Sequence, residues 1–249
     1  MTETHERFYR SQLADVDRAQ LLIQPYNHGT APAIAYCLTH LHQIDPDALV
    51  GFFPSDHHFA DDEAFAARVD LAFTQTELEP ARVILLGIKP DAPEESYGWI
   101  EPGESLAGGA AYEVRCFWEK PSRRVAARLM QGGCLWNSFV MVGRVSTFLA
   151  MIRRTLPGLL NAFESISSGS DMSALRQLYS EVPASNFSDE VLSKCPEHLA
   201  VLPAYGLGWS DLGEPQRVLA ALRIPKMERN RQRANRNSES LRPVVEVPA

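Results

Sequence analysis

Two aspartates in this sequence occupy places where a carboxylate can do chemistry. Asp56 follows a fully apolar run, in Phe53-Pro-Ser-Asp-His-His58, and Asp211 lies in Gly208-Trp-Ser-Asp-Leu-Gly213, between a strand candidate and a helix candidate. In open α/β sheets, ligands bind beyond the carboxyl ends of the strands. A carboxylate there suits Mg2+, a hard cation held by one or two carboxylates together with substrate phosphates. Asp also caps turns and helices, so each residue taken alone admits both roles. The His57-His58 pair suggests a transition metal, yet neighbours in a strand or turn point apart.

Other residues carry weaker signals of the same kind. Glu119-Lys120-Pro121 closes a strand candidate: Lys120 can neutralise a phosphate, and Glu119 can accept hydrogen bonds from sugar hydroxyls. A surface ion pair at a strand end has the same appearance. Trp136-Asn137-Ser138 sets an amide beside a ring, as sugar sites do and as buried cores also do. Tyr97-Gly98 can offer a backbone N–H to a ligand at close range, or form a plain bend.

The elements that must position these residues alternate. Apolar spacing predicts a helix over Thr30 to His42, then a strand over Ala48 to Phe53 buried on both faces. Asp61 is placed to cap a helix with Phe65, Val69, Ala72 and Phe73 inward, ahead of a second buried strand over Val83 to Ile88. Short strands follow at Tyr97 to Ile100 and Tyr112 to Trp118. Ser122 then caps a helix that stops at Gly132-Gly133. A strand over Phe139 to Val142, a helix over Ser146 to Leu156, a polar helical region, a strand over Leu199 to Leu202 and a helix over Glu214 to Leu222 complete the pattern. The expected architecture is a three-layer α/β, Rossmann-like domain over residues 1–222 with a mostly parallel sheet. The first strand candidate, Gln20 to Gln24, comes late after a polar opening.

Composition narrows the class. The 249 residues hold 24 basic and 31 acidic side chains, a net charge of −7, a poor match for a dedicated nucleic-acid binder, so no nucleic-acid partner is expected. Apolar runs are too short to cross a bilayer, and the charged first twenty residues hold no secretory signal, so no membrane partner and a cytoplasmic location are expected. Cys37, Cys116, Cys134 and Cys195 form no C-x-x-C pair and read as reduced thiols. Residues 223–249 read as a disordered basic tail. Its surplus of five positive charges between Arg223 and Arg242 leaves −12 on the body, which makes Lys120 more telling as a phosphate ligand.

The order of the motifs is more specific than any one of them. Gly29-Thr-Ala-Pro-Ala-Ile34, Pro54-Ser-Asp-His57, Tyr97-Gly98, Phe117-Trp-Glu-Lys-Pro121, Leu135-Trp-Asn-Ser138 and Trp209-Ser-Asp-Leu-Gly213 together resemble the sugar-phosphate nucleotidyltransferases, bacterial mannose-1-phosphate guanylyltransferases in particular. The resemblance implies a glycosyltransferase-A type fold and the reaction GTP + mannose 1-phosphate → GDP-mannose + pyrophosphate, with Mg2+ as cofactor. Asp56 and Asp211 match the family's metal-binding aspartates. Glu119 and Lys120 match the pair that grips the sugar and its phosphate, Asn137 a sugar contact, and Gly98 a backbone contact to the sugar. Thr30, Ala31 and Pro32 match residues that line the nucleotide base. Asp56, Lys120 and Asp211 would then carry the catalysis.

One departure bears on activity. The family opens with a Gly-rich G-x-G-T-R-L loop that cradles the triphosphate, and the 249 residues contain neither it nor a P-loop. The absent unit amounts to about 30 residues or more. Two expectations follow: a transferase whose gene model begins late, or a sugar-phosphate-binding or regulatory subunit without catalysis. An exposed sheet edge where the family's first strand lies would favour a homo-oligomer. A hydrolase built on Asp56 and the two histidines is a more distant reading.

Overall fold

The computed structural model describes residues 1–17, 20–166 and 172–223. The expected basic tail falls, except for Arg223, outside the described residues.

Among the described residues, eight strands and eight α-helices follow in chain order, after a 3-10 turn at Glu3–His5. They are α1 (Glu6–Tyr9), α2 (Thr30–Ile44), β1 (Leu49–Phe52), β2 (His57–His58), α3 (Asp62–Leu78), β3 (Val83–Ile88), β4 (Gly98–Ser105) and β5 (Tyr112–Glu119). They continue with α4 (Arg123–Gln131), β6 (Leu135–Arg144), α5 (Val145–Thr155), α6 (Pro157–Glu164), α7 (Met172–Glu181), β7 (Leu199–Ala204), β8 (Ser210–Asp211) and α8 (Pro215–Arg223).

Six strands form one sheet in the order β1-β6-β3-β7-β5-β4, closed further by a β6–β4 pairing. Strand β3 shows why the layers form. All six of its residues are buried, and their side chains alternate between two cores. Val83 and Leu85 join α2, α5, α6 and α7 on one face, while Ile84, Leu86 and Ile88 join α3 and α4 on the other. Each fully buried aliphatic side chain contributes about 1.5–3 kcal/mol. The three-layer expectation holds.

Strand direction and one strand differ from expectation. The sheet is mixed: β3 and β7 run parallel, and the other described pairings are antiparallel. Strand β1 is only half-buried, because among the described residues it pairs with β6 alone. An apolar run reports burial and says nothing of direction, so the parallel reading extends only to β3–β7. The strand expected at Gln20 to Gln24 does not form. Gln24 alone makes a bridge, parallel to Thr2, and the Tyr179 hydroxyl donates to its side chain at 2.9 Å.

Local chemistry sets the element ends. The Asp61 carboxylate accepts from the Ala64 N–H at 2.9 Å and caps α3. Ser122 precedes α4 without a side-chain cap bond, and Pro157 opens α6 in its first turn. The four cysteines are free. No described helix is long and apolar enough to cross a membrane.

Candidate active site

A two-stranded ribbon brings the two aspartates together. Strands β2 and β8 pair antiparallel, His57 opposite Asp211 and His58 opposite Ser210. The Leu212 N–H donates to the Asp56 carbonyl at 2.8 Å and extends the ribbon by one residue. Asp56 and Asp211 thus line one wall of a cavity of about 460 Å3. Gly98, Glu119 and Asn137 line the same cavity, and Thr30 stands at its rim from the first turn of α2.

Strand β6 aims Asn137 by a bulge. Its register against β3 shifts between Leu85 and Gly87, where Phe139 adopts a left-handed conformation with φ 58°. Side chains stitch the bulge closed. Ser138 Oγ donates to the Leu86 carbonyl at 2.7 Å and accepts from the Val140 N–H at 3.2 Å, while Asn137 Oδ1 accepts from the Phe139 N–H at 3.1 Å. Gly98 is small of necessity: a Cβ there would lie 2.8 Å from Phe117 Cζ and 3.1 Å from Glu119 Oε2.

The loop before β4 is anchored in the core. Trp99 is wholly buried, and its indole N–H donates to the Glu94 carbonyl at 2.9 Å. That anchor presents Tyr97, whose hydroxyl donates to Asp211 Oδ1. Burial and then the bond to Asp211 raise the Tyr97 phenol well above its ordinary pKa, so it stays a donor. Arg217 of α8 donates to the same Asp211 oxygen and, at 3.2 Å, to Glu94 Oε2.

His57 is held for geometry. Its Nδ1 accepts from the Trp209 indole N–H at 3.2 Å, and the two rings meet edge to face at 5.3 Å. Burial lowers its pKa, with Asp56 and Asp211 pulling back upward. His58 points elsewhere, its Nε2 buried and without a partner. Among the described residues no three His, Cys, Asp or Glu side chains gather as a metal site.

Glu119 sits in the interior of the cavity beside Asn186, whose amide donates to Oε1 at 3.4 Å. Burial raises its pKa, Lys120 lowers it, Asp189 raises it and the Asn186 bond lowers it. Asn186 was not legible as a site residue. It ties three pieces together, since Thr30 Oγ1 donates to its Oδ1 at 3.5 Å and accepts from the Phe187 N–H at 2.8 Å.

Three expected site residues are placed differently. Ala31 and Pro32 are buried in the fold and do not line the cavity, because the first turn of α2 presents them to the protein interior. The Ala31 N–H donates to the Ser185 carbonyl at 3.2 Å. Lys120 lies outside the lining with its side chain 60% exposed, 4.0 Å from the Glu119 carboxylate, on a backbone turned to φ 45°. Its N–H still joins the site frame, donating to the Tyr97 carbonyl at 3.2 Å.

Residues 1–225 match the family described as Nucleotidyl transferase. The chain belongs to that family. It is 31% identical over 233 residues to a mannose-1-phosphate guanylyltransferase of Escherichia coli (strain K12), covering 85% of this chain and 46% of that protein. It is 32% identical over 219 residues to the xanthan biosynthesis protein XanB of Xanthomonas campestris pv. campestris (strain B100), covering 85% of this chain and 45% of the relative. A solved structure from Thermus thermophilus, described as mannose-1-phosphate geranyltransferase, superposes with a TM-score of 0.78 at 25% identity, covering 90% of this chain and 63% of that one. The chain therefore spans about half the length of the curated relatives it matches. Fold and family are as the motif order implied.

The donor chemistry of this nucleotidyl transferase cavity fits Mg2+. Asp56 and Asp211 supply hard oxygen donors, and phosphates with water complete such a site. No Lys or Arg lines the cavity among the described residues, while three carboxylates do: Asp56, Glu119 and Asp211. A phosphorylated ligand needs positive charge there, and the aspartate pair is where a cation can bring it.

Proposed function

We propose that this domain transfers a nucleotidyl group from a nucleoside triphosphate to a sugar 1-phosphate, with GTP and mannose 1-phosphate as the pair. The observation that carries the reading is one cavity with the Asp56–Asp211 carboxylates on one wall and the polar set of Gly98, Glu119 and Asn137 also lining it. The named relatives support the choice of sugar and base.

In the reaction, a phosphate oxygen of the sugar 1-phosphate bonds to the α-phosphorus of the triphosphate. The bond from that phosphorus to the oxygen bridging to the β-phosphate breaks, and pyrophosphate leaves. Asp56 and Asp211 would hold Mg2+, which supplies charge neutralisation to the phosphates. Glu119 accepts hydrogen bonds from sugar hydroxyls, the Asn137 amide fixes the ring, and Gly98 lets the ligand reach the backbone. Tyr97 holds Asp211 in place from behind. Thr30 belongs on the nucleotide side, and Lys120 at the rim offers the sugar phosphate a point charge. Positioning and charge neutralisation carry the rate.

A second reading, a sugar-phosphate-binding subunit, draws on the cavity lining, which holds no Lys or Arg among the described residues. Pyrophosphate release and calorimetric binding of mannose 1-phosphate, run side by side on the full chain with Mg2+, separate the two. Release above background upholds transfer. Binding without release upholds the subunit, and neither signal removes both.

A further inference from the structure

A cation that the transfer reaction does not use stands behind the Asp211 wall. Arg217 projects from the first turns of α8, and its guanidinium forks between two acids. Nη1 donates to Asp211 Oδ1, and Nη2 donates to Glu94 Oε2 at 3.2 Å. The guanidinium carbon lies 4.9 Å from the centre of the Tyr97 ring, close enough for a cation–π contact. The pair is shielded, with Arg217 21% and Asp211 20% exposed. In a shielded pair, removing one partner leaves the other's charge uncompensated.

The Tyr97 hydroxyl donates to the same Asp211 oxygen. A carboxylate oxygen offers about two lone-pair positions, so two donors saturate Oδ1. A divalent cation approaching Asp211 finds Oδ1 occupied and can take only Oδ2, beside a like-charged guanidinium that already offsets the carboxylate's charge. Glu94 gives that neighbour somewhere to stay, since its other oxygen is fixed by the Ser96 N–H at 3.2 Å and the Ser96 hydroxyl at 2.9 Å.

We infer that Arg217 is a built-in counter-cation that competes with the divalent metal for Asp211, withdrawing to Glu94 when the metal binds. The inference rests on the reading of Asp56 and Asp211 as metal ligands. It makes α8 a responder to metal, and by linkage whatever favours the Arg217–Asp211 pair weakens metal binding by the same factor.

The test is calorimetric Mn2+ binding to the full chain at low ionic strength, comparing the wild type with Arg217→Gln and Arg217→Lys. Arg217→Gln is expected to bind Mn2+ about tenfold more tightly, the equivalent of about 1.4 kcal/mol. Arg217→Lys, which keeps the charge but loses the fork, should fall between. If Arg217 instead orients Asp211 for the metal, both variants bind more weakly and the inference is overturned. Equal affinity overturns it as well. Should Arg217→Gln fail to fold, Arg217→Lys against the wild type decides by the same criterion. Absence of Mn2+ binding in every protein overturns the metal reading of Asp56 and Asp211 and the inference with it. Binding that the variants leave unchanged overturns the competition alone.

Discussion

Replacing Glu119 by Gln should separate what this residue does for the ligand from what it costs the fold. The carboxylate is largely buried, with the Asn186 amide at 3.4 Å and the Lys120 ammonium at 4.0 Å as partners. Hydrogen bonds to a charged group contribute about 1.5–3 kcal/mol net. At about 1.4 kcal/mol per factor of ten, losing that share weakens mannose 1-phosphate binding roughly ten- to hundredfold. Stability should move the other way. Burial lifts the Glu119 pKa above its ordinary value, so the folded state holds this proton more tightly than the unfolded one. Its share of stability is complete below the ordinary carboxylate pKa and is lost as the pH rises through the raised one. Gln carries no charge to desolvate, and the Lys120 pair it forfeits is mostly exposed and worth about 0–1 kcal/mol. Glu119→Gln should therefore melt no lower than the wild type at pH 8, with any advantage fading toward pH 4.5. Calorimetry and thermal melts at both pH values read the two effects. Wild-type affinity in the variant, or a marked loss of melting temperature at pH 8, would refute the reasoning.

Three further outcomes follow from the same geometry. Gly98→Ala should cost about 1–3 kcal/mol by overpacking against Phe117 and should weaken sugar-phosphate binding as Glu119 is pushed aside; unchanged urea unfolding and unchanged affinity would contradict it. Ser138→Ala strips the β6 bulge of the bonds to Leu86 and Val140 and should cost about 1–3 kcal/mol of unfolding free energy. A variant as stable as the wild type would show that the bulge does not depend on this hydroxyl. Asp56→Asn, at a side chain 68% exposed, should leave the melting temperature unchanged. It should weaken Mn2+ binding at least about tenfold, and retained Mn2+ affinity would remove Asp56 from the ligand set.

What the sequence disclosed depended on how local each signal was. Asp56, Gly98, Glu119, Asn137 and Asp211 all line the cavity and all lie in short motifs: Glu119 and Asp211 close β5 and β8, Asp56 precedes β2, Gly98 opens β4 and Asn137 stands in β6 at its bulge. Ala31 and Pro32 belong to the same kind of motif but fall on the interior side of α2, and a motif match does not report which way a helix turn faces. The ribbon that joins the aspartates is two residues on each side, too short to leave a period in the sequence. Asn186 and Arg217 acquire their roles only through closure of the fold. Asn186 meets Thr30 and Glu119, and Arg217 meets Glu94, all of them distant in the chain.

Charge is what ties these placements into a single argument about the ligand. Asp56, Glu119 and Asp211 line the cavity, and of the nearby cations Arg217 is committed to Asp211 and Glu94 while Lys120 stands at the rim. A phosphate entering such a space meets acids before it meets a base, and an anion desolvated without a counter-charge is strongly disfavoured. The Asn186 amide donates to Glu119 and Arg217 answers Asp211, so the least compensated carboxylate of the cavity is Asp56 on the aspartate wall. On the proposed function, a divalent cation on that wall would turn it from repelling a sugar phosphate to holding one. On that same reading, the acidity of the cavity would favour a phosphorylated sugar that arrives with a divalent cation over an uncharged sugar, which would need none.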